Sequence, residues 1–307
     1  MQRNNPLRIM FPVVALLLLI GQNTPSWAQD KEPMKRYPDI HENQVVFVTG
    51  GDLWLASTDG QAQARRLTIH DGEERNPNFS PDGSQIAFTG EYDGNADVYV
   101  MDTEGGNITR LTFHPGFDEV LGWHPVENKI IFSARRSPGT GILTSRLYMV
   151  DADGGFPEPL ILVEGARGSF SPDGERIAFN KTSRADRTWK RYRGGRAQEV
   201  YLYNLTTNQE RQLTNFEGTD RMPMWIGDKI YFISDRDGHL NIFSVNPEGE
   251  GLQQLTAHDT YDARRPNAGP SKIVYEHAGN LWYYDTRSGD NEKLNIHIGS
   301  DSPEARP

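Results

Sequence analysis

The sequence predicts an all-β protein, a six-bladed β-propeller of four-stranded antiparallel blades. Three observations predict it: a short apolar element that recurs six times, a second apolar element that follows each copy, and turn signals between these elements. The first element is a polar residue, a β-branched residue, any residue and an aromatic residue. Its aromatic residues recur at intervals of 41 to 53 residues, a period typical of stacked supersecondary units.

The first element is apolar at adjacent positions, which is typical of a strand covered on both faces. Its copies are QVVF (44–47), QIAF (85–88), KIIF (129–132), RIAF (176–179), KIYF (229–232) and KIVY (272–275). One four-stranded unit cannot cover both faces of its own strands, whereas units stacked around a central axis can. Six copies therefore predict six blades. A β-sandwich is the alternative all-β arrangement.

The remaining strands of each blade follow from the second and third elements. The second element occurs as DLW (52–54), DVY (97–99), RLY (146–148), EVY (199–201), NIF (241–243) and NLW (280–282). The third element occurs as RRLT (65–68), TRLT (109–112), RQLT (211–214) and QQLT (253–256). Asp, Asn and Gly between them, as in DTEGG (102–106), supply side-chain caps and positive φ angles for hairpin turns.

The first 28 residues have the pattern of a secretory signal. Arg3 and Arg8 precede the apolar run Ile9–Ile20, and small residues follow at Ser26 and Ala28. Twelve apolar residues are too few to cross roughly 30 Å of hydrocarbon as a helix, so we expect cleavage and no stable membrane anchor. The predicted organisation is a signal peptide over 1–28, a propeller over 36–297 and a linker over 298–307. The mature protein is expected to cross the inner membrane into the periplasm.

Composition excludes several classes of function. The chain has 32 Lys+Arg against 42 Asp+Glu, so its net charge of −10 argues against nucleic acid as a partner. The lack of cysteine excludes disulfides, thiolate catalysis and zinc–thiolate sites. There is no G-x-S-x-G or H-E-x-x-H motif. We therefore predict no catalytic residue, no metal and no cofactor in this chain, and interpret the calcium-loop-like Ser234–Gly238 as a turn.

The candidate binding residues are mostly arginines. Arg135 and Arg136 follow the third KIIF element, where paired guanidinium groups could hold a carboxylate by forked hydrogen bonds. The alternative is a loop rim of solvated charge. Asp39 and His41 lie in the opening strand of the first blade and are expected to border the central channel.

A basic insertion interrupts the fourth blade between its second and third strands. Residues 181–198 carry seven Lys/Arg and one acid, together with Trp189 and Tyr192. Its candidate binding residues are Lys190, Arg191, Arg193 and Arg196. Three roles stay open: the aromatic residues pin a long loop to the blade, the segment contacts another subunit, or it contacts an anionic ligand such as a peptide terminus.

Several strings resemble the tricorn protease family, over essentially the whole mature chain. They are PDIHENQVVFVTGGDLW (38–54), WKRYRGG (189–195), IYFISDRDGHLNIFSVNPEGEGLQQLT (230–256) and IGSDSPEARP (298–307). The resemblance implies the N-terminal propeller of a large, usually hexameric serine peptidase, whose catalytic residues lie in later domains. It also implies a role in handling peptide substrates and products and in assembly, with arginines that hold a carboxylate. It does not by itself assign that role to Arg135 and Arg136.

A second hypothesis is a free-standing TolB-like periplasmic propeller that acts as a protein–protein binding module. Its SPDG-type repeat, as at residues 80–83 and 171–174, is shared with this chain. TolB-like proteins carry a separate α/β domain before the propeller, and only a short stretch separates the predicted cleavage site from the first blade here. The sequence therefore favours the tricorn-like hypothesis, in which peptides, protein partners, other tricorn domains or a homo-oligomer are the candidate partners.

Overall fold

The described residues form six four-stranded antiparallel sheets. The computed structural model describes residues 33–60, 63–136, 145–160, 164–182, 191–195 and 197–299. Each sheet consists of four strands that are consecutive in the chain and pair in chain order. The predicted six-bladed propeller of four-stranded antiparallel blades is therefore confirmed. Within the described residues no helix is long and apolar enough to cross a membrane.

The strands are numbered in chain order. Blade 1 contains β1 (Arg36–His41), β2 (Gln44–Thr49), β3 (Asp52–Ser57) and β4 (Arg65–Arg66). Blade 2 contains β5 (Glu74–Phe79), β6 (Gln85–Gly90), β7 (Asp97–Asp102) and β8 (Thr109–Arg110). Blade 3 contains β9 (Asp118–Trp123), β10 (Lys129–Ala134), β11 (Arg146–Asp151) and β12 (Glu158–Pro159). Blade 4 contains β13 (Arg167–Phe170), β14 (Arg176–Asn180), β15 (Tyr201–Asn204) and β16 (Gln209–Gln212).

The last two blades have the same plan. Blade 5 contains β17 (Asp220–Ile226), β18 (Lys229–Ser234), β19 (Asn241–Val245) and β20 (Gln253–Gln254). Blade 6 contains β21 (Arg264–Ala268), β22 (Lys272–His277), β23 (Asn280–Asp285) and β24 (Asn291–Lys293). The basic insertion lies between β14 and β15, the second and third strands of blade 4, as the repeat predicts.

The second strand of every blade is buried on both faces. Its aromatic residue is fully buried in all six blades: Phe47, Phe88, Phe132, Phe179, Phe232 and Tyr275 are 0% exposed. The apolar clusters combine residues of adjacent blades, for example Ala87 and Val98 of blade 2 with Val120 and Phe132 of blade 3. Burial of apolar surface between neighbouring blades therefore stabilises each sheet.

The threonine of the R-x-L-T-type element ties the fourth strand to the third. Each of four hydroxyl oxygens accepts a backbone N–H at 2.9–3.0 Å from the start of the third strand; these are Thr68, Thr112, Thr214 and Thr256. Each hydroxyl also donates to a carboxylate or amide oxygen; Thr68 of blade 1 donates to Glu74 of blade 2, and Thr112 donates to Asp97 within blade 2. A Thr at this position therefore compensates a short outer strand of only two to four residues.

The innermost strands of four blades carry the same β-bulge. A residue with positive φ precedes a proline in each, namely Tyr37, Asn76, Met222 and Arg265, with φ between 44° and 55°. The pairing register of each of these strands shifts at this point. A bulge bends the strand and redirects its side chains, so the channel wall has a repeated kink.

Blade 6 closes the ring against blade 1, and among the described residues no strand is exchanged between the two blades. Val274, Leu281 and Leu294 of blade 6 pack with Phe47 and Trp54 of blade 1 in one apolar cluster. Beyond β24, the Ala64 N–H donates to the His297 carbonyl at 2.8 Å, and Ala64 forms a parallel bridge with Ile298. Closure therefore rests on side-chain packing and a short backbone contact. Ile298, which the sequence places in the linker, belongs to this contact.

Candidate functional site

The predicted arginines lie at one end of their blades. Arg135 and Arg136 follow β10 and the insertion follows β14, so both come after the second strand of a blade. Equivalent strand ends lie on the same face of a propeller, because every blade has the same strand directions. We call this the insertion face. Lys190 and Arg196 lie outside the described residues.

Arg136 is bound inside blade 3. Its Nε donates to Asp118 Oδ1 at 3.1 Å, and its terminal nitrogen contacts the second oxygen of the same carboxylate. Its guanidinium also stacks on the rings of Phe132 and Tyr148, 5.1 Å from each centroid. The Asp118 side chain is fully buried and that of Arg136 is 13% exposed. The forked hydrogen bonds expected of this arginine are thus made to a carboxylate of the protein itself.

Arg135 has a different environment from its neighbour. It is exposed, and its backbone carbonyl lies beside the Gly116 loop of the preceding connection. Within the described part of the chain its side chain has no hydrogen bond or ion pair. The two arginines therefore do not converge on one site, and the prediction of a carboxylate ligand stays open for Arg135.

Residues 191–195, a described part of the insertion, are attached to blade 5. The Arg191 Nε donates to the Gly238 carbonyl at 2.8 Å, and an Arg193 terminal nitrogen lies 3.2 Å from both carboxylate oxygens of Asp235. The Asp235 side chain is 6% exposed, whereas that of Arg193 is 42% exposed. Arg191 and Arg193 therefore bridge blades 4 and 5, so a loop-anchoring role is present for these two residues.

Phe216 strengthens the same attachment. Two guanidinium groups lie over its ring, Arg193 at 5.0 Å and Arg236 at 4.8 Å from the centroid. Arg236 also binds both oxygens of the fully buried Asp220 at 2.7 and 2.8 Å. A cation over an aromatic face is attracted by the ring quadrupole. The insertion is thus connected to the interior of blade 5 through Phe216.

Four buried aspartates with arginine partners were not identified from the sequence. Each aspartate side chain is 0% exposed; the pairs are Asp52–Arg66, Asp97–Arg110, Asp118–Arg136 and Asp220–Arg236. A removed partner would leave an uncompensated buried charge. A usable signal existed: an acid opens the first or third strand, and an arginine follows the second strand or lies in the R-x-L-T-type element.

The innermost strands of all six blades line a central cavity of about 330 Å³. Asp39 and His41 lie on its wall, where the sequence placed them. The Asn267 amide donates to Asn78 Oδ1 at 2.8 Å, which links blades 6 and 2, and Trp123 Nε1 donates to the Asn78 carbonyl at 2.9 Å. Side chains of three blades therefore meet at Asn78 within the channel.

Asp39 fastens blade 1 to blade 2 at this wall. Its Oδ2 accepts the Phe79 N–H at 2.7 Å, and the residue is 4% exposed. Burial raises the pKa of Asp39 to about 7, against the lowering effect of the backbone hydrogen bonds from Phe79 and Ile40. Asp39 therefore has a structural role, because its carboxylate connects blade 1 to the backbone of blade 2. Within the described residues, no group of three or more His, Asp or Glu could hold a metal ion.

Comparison with known proteins gives the family. The family model of the tricorn protease N-terminal β-propeller domain matches residues 32–290. A putative tricorn protease homolog 2 of Streptomyces coelicolor is 31% identical over 279 residues, 88% of this chain and 23% of the relative. A putative tricorn-like protease N-terminal subunit of Sulfurisphaera tokodaii is 27% identical over 171 residues, 54% of this chain and 84% of the relative.

A solved structure agrees with the sequence comparison. The crystal structure of the tricorn protease matches with a TM-score of 0.76 and 26% identity, over 88% of this chain and 27% of that chain. This chain thus spans about a quarter of the full-length tricorn proteins that it matches. It belongs to the tricorn protease N-terminal β-propeller domain family.

Proposed function

We propose that this chain is the non-catalytic propeller of a tricorn-like serine protease, in which it handles peptide substrates or products and contacts other parts of the assembly. Family membership supports this proposal, because the model that matches residues 32–290 is that of the N-terminal propeller domain. The relative described as an N-terminal subunit supports a propeller that works with other subunits. The sequence contains neither the G-x-S-x-G nor the H-E-x-x-H motif of common hydrolases.

The observation that carries the proposal is the contrast among the arginines of the insertion face. Arg136 and Arg236 are bound by buried aspartates, and Arg193 is bound by Asp235. Arg135 is exposed and has no partner among the described residues. An exposed guanidinium can form a charge-assisted, bidentate hydrogen bond with a carboxylate. We therefore take the C-terminal carboxylate of a short peptide as the candidate ligand of Arg135.

Peptide binding tests the proposal directly. Fluorescence anisotropy of the purified protein would compare a labelled tetrapeptide that has a free C-terminus with the same peptide amidated. We expect the free carboxylate to bind about tenfold more tightly, because a hydrogen bond to a charged group contributes about 1.5 kcal/mol. Arg135→Ala should remove this preference, and Arg287→Ala, an exposed arginine of blade 6, should not. Equal binding of both peptides to the unaltered protein would exclude carboxylate recognition.

Hydrolysis assays test the non-catalytic part of the proposal. We expect the purified protein to cleave no fluorogenic tri- or tetrapeptide, because no catalytic residue is predicted in it. Turnover that remains after repeated purification and in the presence of inhibitors of contaminating proteases would contradict the proposal.

We also propose that residues 1–28 direct export. The proposal rests on Arg3 and Arg8, the apolar run Ile9–Ile20 and the small residues before position 29. Residues 1–35 fused to an alkaline phosphatase that is active only outside the cytoplasm should give activity. Leu17→Arg with Leu18→Arg should abolish that activity, since charges in the apolar core prevent membrane insertion. Activity from the doubly substituted fusion would contradict export by this segment.

A further inference from the structure

A groove lies on the face opposite the insertion face. It has a volume of about 440 Å³ and separates blades 3 and 4. Its walls include residues of the turn between β9 and β10 and of the turn between β13 and β14, which connect first strands to second strands. The insertion connects a second strand to a third strand and thus leaves its blade at the other end. The groove and the insertion are therefore on opposite faces of the propeller.

The floor of the groove is apolar and fixed. Leu160 and His124 are buried, and Met149 and Leu205 are half-buried beside them. The His124 Nδ1 accepts the backbone N–H of Glu127 at 2.9 Å. Burial lowers the pKa of His124. The imidazole therefore adds no positive charge to the floor near neutral pH.

The edge of the groove adds exposed apolar surface. Val126 lines the groove and is 69% exposed. Phe156, in the turn between β11 and β12, is 97% exposed, and the same connection brings Pro159 into the groove wall. Large side chains with this exposure are typical of contact surfaces when they lie beside an apolar depression.

The rim of the groove is acidic. Glu127, Asp173 and Glu175 line it, and all three are exposed. Lys129 forms an ion pair with Glu127 at 2.6 Å, and Arg176 lies 3.9 Å from Asp173. The Glu175 side chain has no ion pair within the described residues. The groove is therefore suited to a ligand that has an apolar side chain, which would pack on the floor, flanked by cations, which would pair with the acidic rim.

We propose that this groove binds the basic insertion of a second copy of the chain. Residues 181–198 carry Trp189 between Arg187 and Lys190, in a protein that has ten more acids than bases. The large indole matches the apolar floor, and the flanking cations match Glu127 and Glu175. Because the insertion leaves β14 and enters β15 at the face opposite the groove, we expect the contact to be head-to-tail and heterologous. Such a contact adds copies in a ring or a row and does not stop at a two-fold dimer.

Sedimentation velocity of the full chain, at about 5 to 200 μM and at two salt concentrations, tests this proposal. We expect concentration-dependent self-association that weakens with salt. Glu127→Lys with Glu175→Lys in the groove should weaken association at least about tenfold, and so should Arg187→Glu with Lys190→Glu, because like charges would then face each other. Trp189→Ala should weaken it as well. The control Glu248→Lys with Glu250→Lys makes the same change of charge on blade 5 and should not.

Mixing the groove variant with the insertion variant tests whether the insertion is the segment that binds the groove. The groove variant retains its insertion and the insertion variant retains its groove, so an equimolar mixture should form 1:1 dimers that neither forms alone. A chain carrying both sets of reversed charges should associate again. Circular dichroism of each variant would verify that it is folded. A monomeric wild-type protein at 200 μM would overturn the proposal. Association that groove substitutions weaken and insertion substitutions do not would also overturn it, because the occupant would then be another segment.

Discussion

Blades 3 and 5 contain the same ion pair and differ in the residue beside it. In blade 3, Arg136 binds Asp118 at the start of the first strand, and in blade 5, Arg236 binds Asp220 at the equivalent place. Both aspartates are fully buried, and both arginines stack on the aromatic residue of the second strand. These two arginines therefore have one structural role, repeated two blades apart.

The two blades differ in the residue that precedes this arginine in the sequence, and that residue determines which charge is present at the surface of the blade. Blade 5 has Asp235, which binds Arg193 of the insertion. Blade 3 has Arg135 at the same position, and it is exposed without a partner among the described residues. One position thus holds a neighbouring segment in one blade and leaves a cation available in the other. A basic pair in the sequence is therefore not by itself a binding site.

The largest expected effect is the loss of the shared ion pair. Arg136→Gln or Arg236→Gln should lower the free energy of unfolding by about 3–5 kcal/mol, because each leaves a buried aspartate without its cation. Urea unfolding followed by tryptophan fluorescence would measure it. The two substitutions should have similar effects if the pairs are equivalent.

A double variant separates the ion pair from the packing around it. Asp118→Asn combined with Arg136→Gln should recover part of the stability lost in Arg136→Gln, since the uncompensated charge is then absent. If the double variant is as unstable as the sum of the two single variants, the loss comes from packing on Phe132 and Tyr148 and not from charge.

The sequence predicts the blades because the repeated signal is local. The aromatic residue of each second strand, from Phe47 to Tyr275, lies within a four-residue pattern that is buried as a unit. Asp39 and His41 could be assigned to the channel because the first strand of a blade is always the innermost. Both assignments need only strand order, which a repeat specifies.

The ion pairs could not be predicted in the same way. Asp118 and Arg136 are 18 residues apart and meet because β9 and β10 pair antiparallel with Ala134 opposite Asp118. An acid at the start of a strand and an arginine after the second strand indicate such a pair only when the ends of the strands are known, and strand ends are the part of a fold that a sequence predicts least well. The sequence therefore showed Arg135 and Arg136 as one basic pair, although their side chains have different partners.

Asp39 is also a buried acid, but unlike the four aspartates described above it has no arginine partner among the described residues. Burial raises its pKa to about 7, so between about pH 4 and 7 the folded protein holds a proton that the unfolded chain has released. Its contribution to stability is thus fully present below about pH 4, falls as the pH rises from about 4 to 7, and is absent above 7. Asp39→Asn keeps an oxygen acceptor for the Phe79 N–H and should remove this loss, on the order of 2–4 kcal/mol at pH 8.

The measurement is urea unfolding of both proteins from pH 5 to pH 8.5. The difference in the free energy of unfolding should grow with pH in favour of Asp39→Asn. Glu74 must be considered as well, because burial also raises its pKa to about 7. Glu74 is present in both proteins, so its contribution cancels in the difference. A difference that is constant with pH would show that Asp39 is ionised in the folded protein throughout this range.

The attachment of the insertion has a smaller expected effect. Asp235→Asn, or Arg191→Ser with Arg193→Ser, should leave the propeller folded and lower its free energy of unfolding by about 1 kcal/mol or less, because the ion pair is partly exposed to solvent. Faster amide hydrogen exchange confined to residues 181–199 would report release of the segment. The double arginine variant should also weaken assembly with partners. Cooperative unfolding of blades 4 and 5 would contradict this prediction and make the insertion integral to the fold.

The substitution with the smallest expected effect on stability tests the comparison of blades 3 and 5 most directly. Arg135→Asp gives blade 3 the acid that blade 5 has at this position. Because Arg135 is exposed, the free energy of unfolding should change by no more than about 0.5 kcal/mol. Recognition of a peptide carboxylate should nevertheless disappear, since the substituted side chain repels an anion where the guanidinium attracted one. Loss of stability comparable to that of Arg136→Gln would show that Arg135 also has a structural partner, and the difference between the two blades would then lie elsewhere.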